Sequence, residues 1–127
     1  MRYIMMAKAT PDYEAGLPPK AELMAGMRKL TEEMIQAGIL LAAERLAPSS
    51  QGARVKYSDG KRAVTDGPFA ETKELIGGFA IFEAKSKQEA IELAERAVEA
   101  HVQAGISQVE IEIRLLSNLP SLDPDLN

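Results

Sequence analysis

Three short runs in this chain are apolar at most consecutive positions: Tyr3–Ala9 (YIMMAKA), Ile39–Leu46 (ILLAAERL, interrupted by Glu44 and Arg45) and Gly78–Ala84 (GFAIFEA). A strand points successive side chains to opposite faces, so such runs read as strands that offer apolar groups to both sides of a sheet. A fourth run, Gln108–Leu116, alternates instead. Val109, Ile111, Ile113 and Leu115 face one way, while Gln108, Glu110, Glu112 and Arg114 face the other, the pattern of a half-buried strand. Any fold of this chain must find cover for both faces of the first three.

Two helical segments are available to provide it. Leu23, Met27, Leu30 and Met34 repeat at spacings of four, three and four, which predicts an amphipathic helix over Lys20–Ala37. Met24 and Ile35 widen its apolar stripe, and Glu22, Arg28, Lys29, Glu32 and Glu33 form its wet side. The methionines read as core filling. Pro18-Pro19 marks its start and Gly38 its end. For the second helix, Ser86 and Glu89 have the spacing of a capping box, Ile91, Ala94, Val98 and His101 form the expected stripe, and Gly105 closes it. His101, late on this helix, is expected to interact with the helix's last carbonyls. Thr10–Lys20, with its prolines, glycine and acids, is predicted as a loop.

A hairpin lies between the two halves. Asp59-Gly60 is the favoured pair for a two-residue type I′ turn. That turn pairs Ser58 with Lys61, Tyr57 with Arg62, Lys56 with Ala63 and Val55 with Val64, which puts valine against valine. The order is then strand, helix, strand, hairpin, strand, helix, strand. This is an α+β fold: a ferredoxin-like split βαβ sheet with an inserted β-hairpin and both helices on one side.

Two helices cover one face of a four-stranded sheet and leave the other bare. A bare face built from these strands is larger than soluble monomers usually expose. The expectation is a homodimer in which two sheets close face to face into a dimeric α+β barrel and trap any cavity between them.

The totals narrow the rest. With 127 residues, 46% apolar and 27% charged, the chain holds one core, assigned to residues 1–116, followed by a Pro- and Asp-rich tail at 117–127. A net charge of −4 and no basic run argue against a nucleic-acid surface. The absence of cysteine removes disulfides, thiolate metal sites and a cysteine nucleophile. One histidine and unpatterned carboxylates give no metal site, and no cofactor is expected. No apolar run approaches the roughly 20 residues of a membrane helix, and MRYIMMAKAT lacks a signal-peptide core. A soluble cytoplasmic protein is expected.

The stretch Thr65-Asp66-Gly67-Pro68-Phe69-Ala70-Glu71-Thr72-Lys73-Glu74, followed by Gly77-Gly78-Phe79, resembles the signature of the DGPF family, a branch of the YCII-related proteins. The likeness runs from about Arg2 to Leu116 and includes the Tyr-led first strand and the Glu44-bearing second one. It implies a dimeric ferredoxin-like α+β barrel. YCII relatives hold a His–Asp pair in a cleft, which implies enzymatic work. In this chain the single histidine, His101, matches no member of that pair.

Two readings of the DGPF stretch follow. In the structural one, the Asp66 carboxylate accepts N–H groups two or three residues on, Gly67 and Pro68 make the corner, and Phe69 plugs the end of the sheet. In the chemical one, Asp66, walled by Phe69 and Phe79, and Glu44, an acid on an otherwise apolar strand, serve as general acid or base. Lys73 then pairs with one of them or holds an anionic ligand, with Thr72 beside it. Gly77-Gly78 reads as a bulge or close strand approach. Three function classes result: a small cavity enzyme acting on a carbonyl or acidic metabolite, a non-catalytic ligand-binding or regulatory module, and a purely structural interaction partner.

Overall fold

The computed structural model describes residues 1–126; the last residue of the assigned tail, Asn127, lies outside the described residues. Four strands form one antiparallel sheet in the order β2–β5–β1–β6, with β1 Arg2–Lys8, β2 Leu40–Arg45, β5 Ile76–Glu83 and β6 Ile111–Leu115. This is the order expected of two interleaved βαβ halves. The hairpin strands β3 Ala53–Ser58 and β4 Lys61–Asp66 form a separate two-stranded sheet. The single copy has an open sheet and not a closed barrel.

Helices α2 (Ala21–Gln36) and α3 (Lys87–Gln103) pack on one side of the four-stranded sheet. Between them and the sheet lies a core of Tyr3 and Met5 from β1, Phe82 from β5, Leu30 and Met34 from α2, and Ala90, Leu93 and Ala97 from α3. Phe82 is fully buried and stacks on Tyr3 with ring centroids 6.3 Å apart. The stripe of α3 agrees with the sequence expectation at Ala94 and differs on either side of it. Ala90, Leu93, Ala94 and Ala97 are its buried residues, while Ile91 and Val98 are only half-buried. Where α3 approaches α2, a Cβ on Gly26 would stand 3.1 Å from the Ala100 methyl, so small residues set the spacing of the two helices. The Arg96 guanidinium donates to Glu33 across this seam and holds that carboxyl below its ordinary value.

Local signals behave as their chemistry requires. Ser86 Oγ accepts from Glu89 N at 3.1 Å, and the Glu89 carboxylate reaches back to Lys85 N at 3.1 Å. The hairpin register includes all the pairs expected from the Asp59-Gly60 turn, with both turn residues at positive φ (51° and 79°). A register shift opposite Gly77 makes the expected bulge in β5. β6 begins at Ile111, later than its alternating pattern, although Lys8 N still donates to Glu110 O at 3.0 Å just before it. The Thr10–Lys20 segment is not all loop. Thr10 Oγ1 caps Tyr13 N at 3.1 Å and Pro11 opens a one-turn helix, α1 (Pro11–Glu14).

Cross-strand pairing assigns the other face of the sheet. Ile4 lies beside Ile81 and Met6 beside Phe79, and Glu44 pairs with Phe79 from the opposite side. Glu112 and Arg114 flank the strip on β6. Neither long helix covers this face: its centre is an apolar strip of half-buried Ile4, Met6, Phe79 and Ile81. The residue that organises the covered side should be the least replaceable. Phe82→Ala is expected to lower unfolding free energy by about 3–5 kcal/mol in urea titration, and a loss under about 1 kcal/mol would contradict this core.

Candidate functional site

The DGPF corner is built by a serine from another part of the chain. Glu14, at the end of α1, accepts from Ser49 N at 2.8 Å and also from the Ser49 hydroxyl. The same hydroxyl accepts from Phe69 N at 3.0 Å. One side chain therefore ties the first loop, the 3₁₀ turn Ser49–Gln51 and the DGPF stretch together. Gly67 N donates to Gly52 O at 2.9 Å, and the Gly67–Pro68 peptide is cis. A Cβ at Gly67 would stand 1.7 Å from Ser49 O, so this backbone contact admits only glycine.

Asp66 does not form the expected Asx turn. Among the described residues its side chain has no hydrogen bond or ion pair; Pro68 has no N–H to offer, and the Phe69 N–H, three residues on, goes to Ser49 Oγ. Asp66 is exposed at the end of β4, opposite Ala53. Phe69 is half-buried, with the Arg54 guanidinium 3.9 Å above its ring. Its ring partner is the hairpin's own arginine. Thr72 and Lys73 lie on the following 3₁₀ turn, Thr72–Glu74. Lys73 is exposed and pairs with neither Glu44 nor Asp66.

Glu44 is exposed on edge strand β2, beside Phe79 on the open face, and has no ion-pair partner among the described residues. Of the predicted site residues, the structure brings Glu44 and Phe79 together. It leaves Asp66 on the separate hairpin sheet. Lys8, Glu112 and Arg114 on the same face hold one another, with Lys8 Nζ 3.4 Å and Arg114 Nη1 3.7 Å from Glu112.

Sequence reasoning passed over Tyr13, Glu14, Ser49 and Arg45 as a group. The Tyr13 ring lies against Gly77, and the Arg45 guanidinium sits 5.6 Å above it. Burial pushes the Tyr13 phenol above its ordinary value. The Arg45 charge and the Leu46 amide oppose that rise, and Glu14 adds to it. The Tyr13 hydroxyl is sealed from solvent with no hydrogen-bond partner of its own. The available signal was Thr10-Pro11, which starts a helix turn and so fixes where Tyr13 and Glu14 point. His101 Nδ1 lies 2.7 Å from Ala97 O, so the lone histidine is engaged with its own helix, one turn back. Among the described residues no group of three or more His, Cys, Asp and Glu could hold a metal, and no helix is long and apolar enough to cross a membrane. An open groove of about 270 Å³ runs between α2 and α3, lined by Glu22, Lys29, Arg96 and Gln103 among others, and none of the predicted site residues lines it.

Two comparisons bear on this arrangement. The family model described as the YCII-related domain matches residues 1–113. An uncharacterized protein of Rhizobium meliloti (strain 1021) is 33% identical over 87 residues, covering 68% of this chain and 70% of that relative.

Two outcomes test the corner. Ser49→Ala leaves Phe69 N and one side of Glu14 without their partner, and should cost about 1–3 kcal/mol in denaturant titration; a neutral effect would remove Ser49 as the tie. Tyr13 gives a pH signature. Because the folded phenol keeps its proton to higher pH than the ordinary tyrosine value of 10.0, the unfolded chain ionises first and stability falls as pH rises above 10. The stability difference between wild type and Tyr13→Phe should be flat below about pH 9 and move against wild type above 10. A pH-independent difference would contradict the burial of this hydroxyl.

Proposed function

The chain belongs to the YCII-related family, and on that premise we propose that it acts as a cytoplasmic homodimer that encloses a small metabolite between two facing sheets and performs acid–base chemistry on it through Glu44. The observation that carries this reading is the position of Glu44. It is a carboxylate without a partner, next to Phe79, at the border of an apolar strip that neither long helix covers. Covering that strip with a second copy withdraws Glu44 from water, and a withdrawn carboxylate needs either a partner or a substrate proton to handle. Carboxylates facing apolar walls are the ones that serve as general acids and bases near neutral pH.

Phe79 supplies one wall of the cavity. Asp66, Phe69, Thr72 and Lys73 form its mouth, where the Lys73 ammonium suits an acidic or carbonyl-bearing ligand. No metal or cofactor is invoked. A second reading, a non-catalytic ligand-binding or regulatory module, is favoured by one fact: Glu44 and Asp66 stand on separate sheets with no shared partner. Acid–base catalysis by a converging pair of carboxylates would want them together.

The test joins assembly to chemistry. Wild-type protein should sediment as a dimer at micromolar concentration, and some member of a panel of small carboxylic and 2-oxo acids should raise its melting temperature. Glu44→Gln should keep the dimer and the thermal shift while losing turnover of that acid by at least about a hundredfold, the scale of a general acid–base group. Undiminished turnover in the glutamine variant would leave only the binding reading.

A further inference from the structure

We propose that the outer edge of β4 pairs with the same edge of a second copy, antiparallel about a two-fold axis at Val64, so that Arg62 of each copy meets Asp66 of the other. The contact is separate from the facing sheets proposed above and uses neither the open strip nor Glu44. It joins one such dimer to another.

The hairpin's own bonds decide which backbone groups are spare. Gly67 N donates to Gly52 O, in step with the register that sets Ala53 opposite Asp66. Bonded and non-bonded pairs alternate along an antiparallel ladder. Arg54–Thr65, Lys56–Ala63 and Ser58–Lys61 are therefore bonded pairs, and Arg62, Val64 and Asp66 turn their N–H and C=O groups away from β3. Among the described residues no further strand takes them up, because β3 and β4 form a sheet of their own. Every residue of both strands is exposed. Such an edge is a template for another strand, and a lone two-stranded hairpin is marginal in water.

The side chains fix the partner and the register. Arg62, Val64 and Asp66 share one face, and neither charged group has an ion-pair partner among the described residues. Along the strand they read cation, valine, acid. Two such edges laid antiparallel with Val64 opposite Val64 set each cation opposite an acid, and each of these pairs exchanges both of its N–H···O bonds. Moving the axis two residues either way sets Arg62 against Arg62 or Asp66 against Asp66. Pairing through the outer edge of β3, centred on Val55, sets Arg54 against Lys56. Like charges directly opposite are destabilising, so the β4 edge centred on Val64 is favoured. It also lines up Val55 and Val64 of both copies in one row across a four-stranded sheet, at positions 76% and 68% exposed in the single copy. Arg54, held over the Phe69 ring, ties the opposite face to the chain's own corner. One short strand edge is a small interface, so dimers join only at concentrations above those that form them.

The chain has no cysteine, which permits a cross-linking test. Val64→Cys places its Cα about 5.5 Å from that of its own copy, within disulfide reach, whereas Val55→Cys lies about 14 Å from its copy, across the intervening strands. On oxidation at high protein concentration, Val64→Cys should form a disulfide-linked pair at least about tenfold faster than Val55→Cys. In sedimentation, Arg62→Glu should weaken association beyond the dimer at least about tenfold while the micromolar dimer persists, and adding Asp66→Arg to the same chain should restore it. Both results are required. Cross-linking that does not favour Val64, or a double variant that does not recover, overturns the hairpin contact and leaves the facing sheets standing. A wild type that is monomeric at micromolar concentration, yet pairs through Val64 when concentrated, would remove the facing sheets and keep the hairpin contact.

Discussion

Two helices shield one side of a four-stranded sheet, and here they shield the side built on Phe82, Tyr3 and Met5. The same strands carry Ile4, Met6, Phe79 and Ile81 on the other side, since neighbouring residues of a strand alternate between faces. The core and the open strip are therefore two products of one pattern. A polar residue at Ile4 or Met6 would solve the exposure problem without disturbing the core, yet the chain has apolar residues at both positions. The proposed assembly, the enclosed cavity and the role of Glu44 all descend from that uncovered face.

The DGPF stretch has a structural explanation that differs from the one its own residues suggest. Read locally, Asp66 should satisfy the amides that follow it. In the fold, Ser49 and Gly52 do so from across the chain, and Glu14 anchors Ser49 in turn. Gly67 is required by the close passage of the Ser49 backbone. This frees the Asp66 side chain from the duty of holding the corner. Freed from structural work, it is available at the mouth of the proposed cavity.

Local signals carried most of the fold. The Asp59-Gly60 turn fixed the hairpin register, the capping residues fixed the start of α3, and the alternation of Val109–Leu115 fixed which side of β6 joins the core. The expected α3 stripe held Ala94 but took the larger Ile91 and Val98, where the fold buries Leu93 and the small Ala90 and Ala97 instead. The Glu14–Ser49–Phe69 tie was illegible for another reason. Its members are 35 and 20 residues apart in pairs, and no periodicity records such a contact. Tyr13 was missed with them, since its environment is created by Arg45 and Gly77 from distant strands. Glu44 was legible as an acid in an apolar run, and the fold gives it Phe79 as a neighbour.

Whether a second copy covers the open face is the point on which the functional account turns. Methionine oxidation reads that face directly, because Met6 lies in the strip and Met24 lies exposed on α2 as an internal standard. With peroxide and mass spectrometry across a dilution series, Met6 should be shielded at high protein concentration and gain reactivity as the protein is diluted, while Met24 reacts at a constant rate. A Met6 that oxidises as readily as Met24 at every concentration would mean that the strip faces water, and the cavity with its chemistry would have no walls.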